Sequence, residues 1–152
     1  MEITYRQYTG IPFDIWDLQT LAIAYNDEAN RFSQIKFCER HVSECARLTV
    51  GRGDSAIFFA MHGEKPVGGI WVSSVQAIHT PSLIGVENFN FVMPEYRDQG
   101  IGLKLASMGI EWLRNKEVAY IQFGLNSGIK HGSKNPYESL GFKPIGVNFI
   151  LM

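Results

Sequence analysis

The chain has 152 residues, 45% of them hydrophobic and 19% charged, with a net charge of −1 at pH 7. That length suits one domain with a sizeable core, expected to span residues 1–152, and the near-balanced charge without clustered Lys and Arg argues against a nucleic-acid-binding surface. No apolar run approaches the length of a membrane span and the first residues lack the regions of a signal peptide, so no membrane contact and a cytoplasmic location are expected.

Glu2 to Tyr8 alternates and reads as a first strand, closed by Thr9-Gly10. Pro12 suits the first turn of a helix whose apolar positions Ile15, Leu18, Ala22 and Tyr25 recur at helical spacing until Asn26-Asp27-Glu28 interrupts it. A second helix is expected from about Asn30 to Thr49, with Phe32, Ile35, Cys38, Val42, Cys45 and Leu48 on one face. Ser55 to Met61 and Pro66 to Val75 are strands joined by the hairpin turn His62-Gly63-Glu64-Lys65, and Gln76 to Gly85 is a loop.

Asn88 to Met93 follows as an apolar central strand, and a long helix with Ile101, Leu105, Met108 and Trp112 on one face carries the chain across to a strand at Val118 to Leu125. Such a crossover makes the two strands parallel. Asn135 and Pro136 open a short helix that Gly141 stops, and Phe142 to Met152 closes the sheet with Ile145, Val147, Phe149 and Leu151 on one face. Cys38 and Cys45 are expected as small core residues, and the four histidines show no metal-ligand spacing.

The most informative stretch is the strand, turn and helix from Glu87 to Leu113. A strand entering a helix through Arg97-Asp98-Gln99-Gly100-Ile101-Gly102 aims unpaired backbone N–H groups at one spot, where the helix dipole adds partial positive charge. Gly100 and Gly102 let an anion approach the backbone and Arg97 can add charged hydrogen bonds, so the turn can hold a diphosphate. The plain alternative is tight strand-to-helix packing.

The pattern V-x-P-x-Y-R-x-x-G-I-G, Val92 through Gly102, resembles the acyl-CoA-binding motif of the GNAT N-acetyltransferase superfamily. Tyr137 to Phe142 resembles its Y-x-x-x-G-F segment, and Ile57 to Ile70 its strand, turn, strand ending in a Val-Gly pair. The resemblance covers about two thirds of the chain. It implies an α/β (α+β) fold with a mixed sheet of six or seven strands flanked by about four helices, acetyl-CoA as cosubstrate, and an amine acceptor that it does not identify.

On that resemblance the pantetheine arm lies along Phe91, Val92 and Met93, the Val92 N–H is the oxyanion donor, and the turn of Arg97, Asp98, Gln99, Gly100, Ile101 and Gly102 holds the diphosphate. Tyr137 is the candidate general acid, a phenol that keeps its proton at neutral pH, unless it only packs beside Phe142. Glu87 is the candidate base, unless it is an exposed charge at a strand start; it is offset by one residue from the family's commoner positions. In a regular strand Asn88 and Asn90 share the face opposite to it and orient water or substrate. An Asn and an Ala usual in the family seven and four residues before the tyrosine are Lys130 and Ser133 here, leaving Asn126 and Asn135 as substitutes.

The family commonly continues into a further strand after Phe142, so the chain closes its sheet either with a hairpin near Gly146 or with a second subunit, and a homodimer is the expectation. Two other readings stand beside the enzyme: a catalytically weak acyl-CoA-binding module, and a pure interaction protein without a ligand.

Overall fold

The computed structural model describes residues 2–29, 36–124, 136–147, 149 and 151. In chain order the elements are β1 (Thr4–Gln7), α1 (Pro12–Ala29), α2 (Glu39–Gly51), β2 (Ser55–His62), β3 (Lys65–Gln76), β4 (Leu83–Val92), a 3-10 turn (Pro94–Tyr96), α3 (Ile101–Asn115), β5 (Ile121–Gln122) and a second 3-10 turn (Glu138–Leu140). The strands form one sheet in the order β1-β2-β3-β4-β5, antiparallel except for the β4 and β5 pair. The parallel pair follows from the α3 crossover, as expected.

The strand and helix counts differ from expectation. Five strands and three helices stand among the described residues. The expected fourth helix shrinks to a 3-10 turn, ended by Gly141 at φ +90°. The expected last strand does not form over the described residues from Phe142 onward. β4 begins at Leu83 because residues 83–86 pair with Ser73 to Gln76, so Gln76 and Leu83 to Gly85 of the expected loop are strand. α1 runs through Asn26-Asp27-Glu28 to Ala29, and α2 begins only at Glu39. Residues 30–35, with Phe32 and Ile35, lie outside the described residues, as do Asn126, Lys130, Ser133 and Asn135.

Two layers cover the sheet. On one face α3 lays Ile101, Leu105, Ala106 and Leu113 over Ala56, Phe58, Ile70 and Val72. Gly109 sits where a Cβ would come within 2.9 Å of Val72 Cγ1, so helix and sheet approach closely. On the other face Leu18, Leu21 and Ala46 of α1 and α2 meet Ile57, Phe59, Trp71 and Phe91. Cys38 is exposed and Cys45 half-buried, because α2 starts after Cys38 and turns Ala46 inward; Leu48 faces solvent as well. Cys38 therefore leaves the core it was expected to join, while Cys45 packs at the edge of the cluster under α1 and α2.

One buried charge fixes the join of β1 to α1. Asp14 is fully buried and accepts hydrogen bonds from the amides of Thr9, Gly10 and Ile11 at 2.8, 2.8 and 3.1 Å while pairing with Arg6. Burial works to raise its pKa, but Arg6 and the Thr9 and Gly10 amides overcome that and hold it below the usual value. Asp14→Ala removes the acceptor that these three amides and Arg6 share and should cost about 3 kcal/mol in urea unfolding at pH 7. Because the folded pKa is depressed, this contribution is present above the unfolded pKa and is lost as pH falls through the folded one. The difference between wild type and variant should therefore shrink below about pH 4.

Candidate active site

The site is built where β4 and β5 part. They pair only at Gly85 with Ile121 and Val86 with Gln122, leaving the rest of that β4 edge without a strand partner among the described residues. The Met93 N–H donates to Val67 O of β3 at 2.8 Å. By strand alternation the N–H and C=O of Val92 point away from β3, toward the open edge. The Val92 amide, the expected oxyanion donor, thus faces that edge.

An irregularity in the same strand decides which side chains meet there. Trp71 pairs with Phe89 but Val72 pairs with Glu87, so Asn88 is an extra residue on β4. This bulge reverses the alternation and puts Glu87 on the same face as Asn90, the α3 face, while Phe89 and Phe91 turn to the α1 side. The expectation that Asn88 and Asn90 share the face opposite Glu87 is corrected for Asn90, while Asn88 stays on the opposite face with Ser73. Asn88 Nδ2 donates to Ser73 Oγ at 2.7 Å, and Ser73 Oγ lies 2.7 Å from Ser55 Oγ, a polar chain that pins the bulge to its neighbours.

Glu87 and Tyr137, fifty residues apart, are hydrogen-bonded, with the phenol donating to Glu87 Oε2. The Tyr137 ring packs on Phe123 and Phe142 at centroid distances of 5.4 and 5.5 Å, so it both fills the core and aims its hydroxyl. Burial pushes the Glu87 carboxyl up to about 7, against the opposing pull of the Tyr137 hydroxyl and the Gly124 amide. Burial, followed by the Glu87 charge, holds the phenol well above its usual value. A half-buried carboxyl near neutrality beside a retained phenolic proton is an arrangement able to serve as base and acid.

Asn90 ties this pair to the helix. Its Nδ2 donates to Gly102 O at 3.1 Å and lies 3.5 Å from the Tyr137 oxygen, and its Oδ1 is buried with no hydrogen-bond partner. Ahead of α3 the turn adopts left-handed backbone at Asp98 (φ +62°) and Gly100 (φ +78°). That alternation, with the first-turn amides of Ile101, Gly102 and Leu103, forms a concave set of N–H donors. A Cβ at Gly100 would meet no heavy atom within 4 Å and one at Gly102 would first meet Val92 Cγ2 at 3.6 Å, so the space before the turn is open. A diphosphate fits this cradle, and an N–H donor fits the orphaned Asn90 oxygen.

The structure brings together Glu87, Tyr137, Val92 and the turn from Asp98 to Gly102. Phe91 turns its ring to the α1 face, and the Arg97 guanidinium bonds Val92 O and Glu28 rather than facing the cradle. Asn126 lies outside the described residues. Asn90 as the link between Tyr137 and α3 was not read from the sequence. Its signal was the adjacent polar pair Glu87-Asn88 inside an alternating strand, which marks a bulge. Among the described residues no helix is long and apolar enough to cross a membrane and no group of three side chains could hold a metal ion.

No curated protein matches this chain. Its fold is similar to that of a transcriptional regulator from Bacillus halodurans C-125, at TM-score 0.72 and 19% identity over 99% of both chains. It is also similar to a predicted acetyltransferase with acetyl-CoA from Clostridium acetobutylicum, at TM-score 0.72 and 11% identity over 99% of this chain and 96% of that one. A third similar structure is AAC(6')-Iy in complex with the bisubstrate analogue CoA-S-monomethyl-acetylneamine, at TM-score 0.72 and 15% identity over 100% and 98%. The profile of the Acetyltransferase (GNAT) family matches residues 16–142, and the chain therefore belongs to the GNAT acetyltransferases, whose acetyl donor is acetyl-CoA.

Proposed function

We propose that this chain is an N-acetyltransferase that moves the acetyl group of acetyl-CoA to a primary amine by direct attack. The observation that carries the reading is the Glu87 and Tyr137 pair beside the open edge of β4. The main-chain amides of residues 98–102 hold the diphosphate, and the edge carrying Val92 receives the pantetheine arm. Glu87 accepts a proton from the amine as its nitrogen bonds to the acetyl carbon. The Val92 N–H stabilises the oxyanion that forms, and when the carbon–sulfur bond breaks Tyr137 gives its proton to the thiolate. Glu87 then returns its proton to the phenolate across their hydrogen bond. The loop is closed: amine and thioester become amide and thiol, with both side chains restored.

This reading differs in outcome from a weak acyl-CoA-binding module of the same fold. Acetyl-CoA binds to either, but only the enzyme releases thiol in the presence of amines. A panel of polyamines, aminoglycosides, amino acids and peptides, with mass detection of acetylated product, names the acceptor. In that assay kcat should fall as pH drops below about 7, because Glu87 must be ionised to act as a base. Glu87→Gln should remove this limb and lower kcat about 100-fold. Tyr137→Phe should lower kcat while leaving acetyl-CoA affinity nearly unchanged. It should also move the limb to higher pH, since the lost hydrogen bond favoured the carboxylate. Equal turnover in wild type and Tyr137→Phe rejects the acid role.

A homodimer completes the proposal. Ile145, Val147, Phe149 and Leu151 alternate along the tail and are 78% to 98% exposed, while Phe142 at its start stacks on Phe123 beside β5, 5.1 Å between centroids. An alternating apolar segment next to a short sheet edge suits pairing with a second copy. The unpaired cysteines suit a reducing, cytoplasmic compartment. Light scattering at micromolar concentration should give twice the chain mass, and Phe149→Glu should halve it; a monomeric wild type counts against the dimer.

A further inference from the structure

Arg97 opens the glycine turn in sequence, where a free guanidinium would reach an anion. Three of its five N–H groups are engaged elsewhere, one on each nitrogen. Nε donates to Val92 O at 2.9 Å, Nη1 donates to Glu28 Oε1 at 2.7 Å, and Nη2 donates to the second Glu28 oxygen. The guanidinium carbon lies 5.5 Å from the centre of the Phe91 ring, and the Arg97 and Glu28 side chains are 29% and 30% exposed. A two-point fork between planar groups fixes direction as well as distance, which a lysine cannot reproduce.

Both partners of this fork sit at telling places. The peptide between Val92 and Met93 is held at its oxygen by Arg97 and at its nitrogen by Val67 O, 2.8 Å away. The Val92 N–H belongs to the next peptide back and shares the Val92 Cα with the pinned one, so a displacement of that Cα would re-aim it. Glu28 lies in the last turn of α1, one turn beyond Tyr25, whose ring packs on Phe89 and Phe91 at 5.8 and 5.9 Å. The contact therefore joins the end of α1 to the main chain that carries the candidate oxyanion donor.

We infer that Arg97 and Glu28 form a positioning strut, which locks the end of α1 onto β4 and sets the aim of the Val92 N–H, and that Arg97 is not a diphosphate ligand. The inference rests on the proposed acetyltransferase reading and extends it. Glu28 balances the guanidinium charge, so the diphosphate is left to the main-chain amides of the turn. Glu28 and Arg97 then act on the rate of the acetyl step through Val92 rather than on cofactor affinity.

The test is calorimetric titration with acetyl-CoA, and turnover with the best amine of the panel, for wild type, Arg97→Gln, Arg97→Lys, Glu28→Gln and the double Gln variant. The strut predicts an acetyl-CoA Kd within about threefold of wild type throughout, and a kcat lowered about tenfold by either Gln substitution. The double variant should be no slower than the slower single, because both remove one shared contact, and Arg97→Lys should not rescue. The inference is overturned if Arg97→Gln weakens acetyl-CoA tenfold or more while Glu28→Gln leaves it unchanged, or if the kcat losses simply add. No binding heat in the wild-type chain would instead bring down the acetyltransferase reading, and the strut with it.

Discussion

One extra residue in β4 governs the arrangement. Without the bulge at Asn88, Glu87 would share a face with Phe89 and Phe91 and point into the aromatic layer under α1, a costly place for a carboxyl. With it, Glu87 turns to the α3 face, where Tyr137 and the Gly124 amide receive it and burial lifts its pKa to about 7. The pairing of Glu87 with Tyr137 is thus a consequence of strand register. The chain of Asn88, Ser73 and Ser55 that fixes the register supports the site without touching any reacting atom.

The two faces of the sheet divide the work. The α3 face carries the groups proposed for proton transfer and anion binding: Glu87, Asn90, Tyr137 and the amides ahead of the helix. The opposite face carries packing, with Tyr25, Phe89, Phe91 and Trp71 between the sheet and the first two helices. Arg97 reaches across from the turn to Glu28 and is the polar link between these regions. A strand paired to β3 across one bulge, and open along most of its other edge, lets both arrangements coexist.

Local signals were legible in the sequence and long-range ones were not. Pro94, Gly100 and Gly102 mark the turn and start of α3 because their chemistry acts within a few residues, and Gly100 does adopt the left-handed backbone that favours glycine. The hairpin at Gly63 was read for the same reason. The face of Glu87 was misread because a bulge depends on the partner strand, although the adjacent polar pair Glu87-Asn88 hinted at it. Asp14 was passed over as one polar residue in an apolar pattern, yet a carboxylate two residues after Pro12 is placed to cap the first turn. The tail alternates like a strand, but alternation specifies a face and not the chain that will cover it.

The account turns on a half-buried Glu87 held against Tyr137, and the direct measurement is the ionisation of that carboxyl by NMR in chain labelled with carbon-13 at glutamate. A wild-type midpoint at about 7, rising further in Tyr137→Phe, is the predicted result. A midpoint at the ordinary carboxylate value, unmoved by the loss of the phenol, would contradict it.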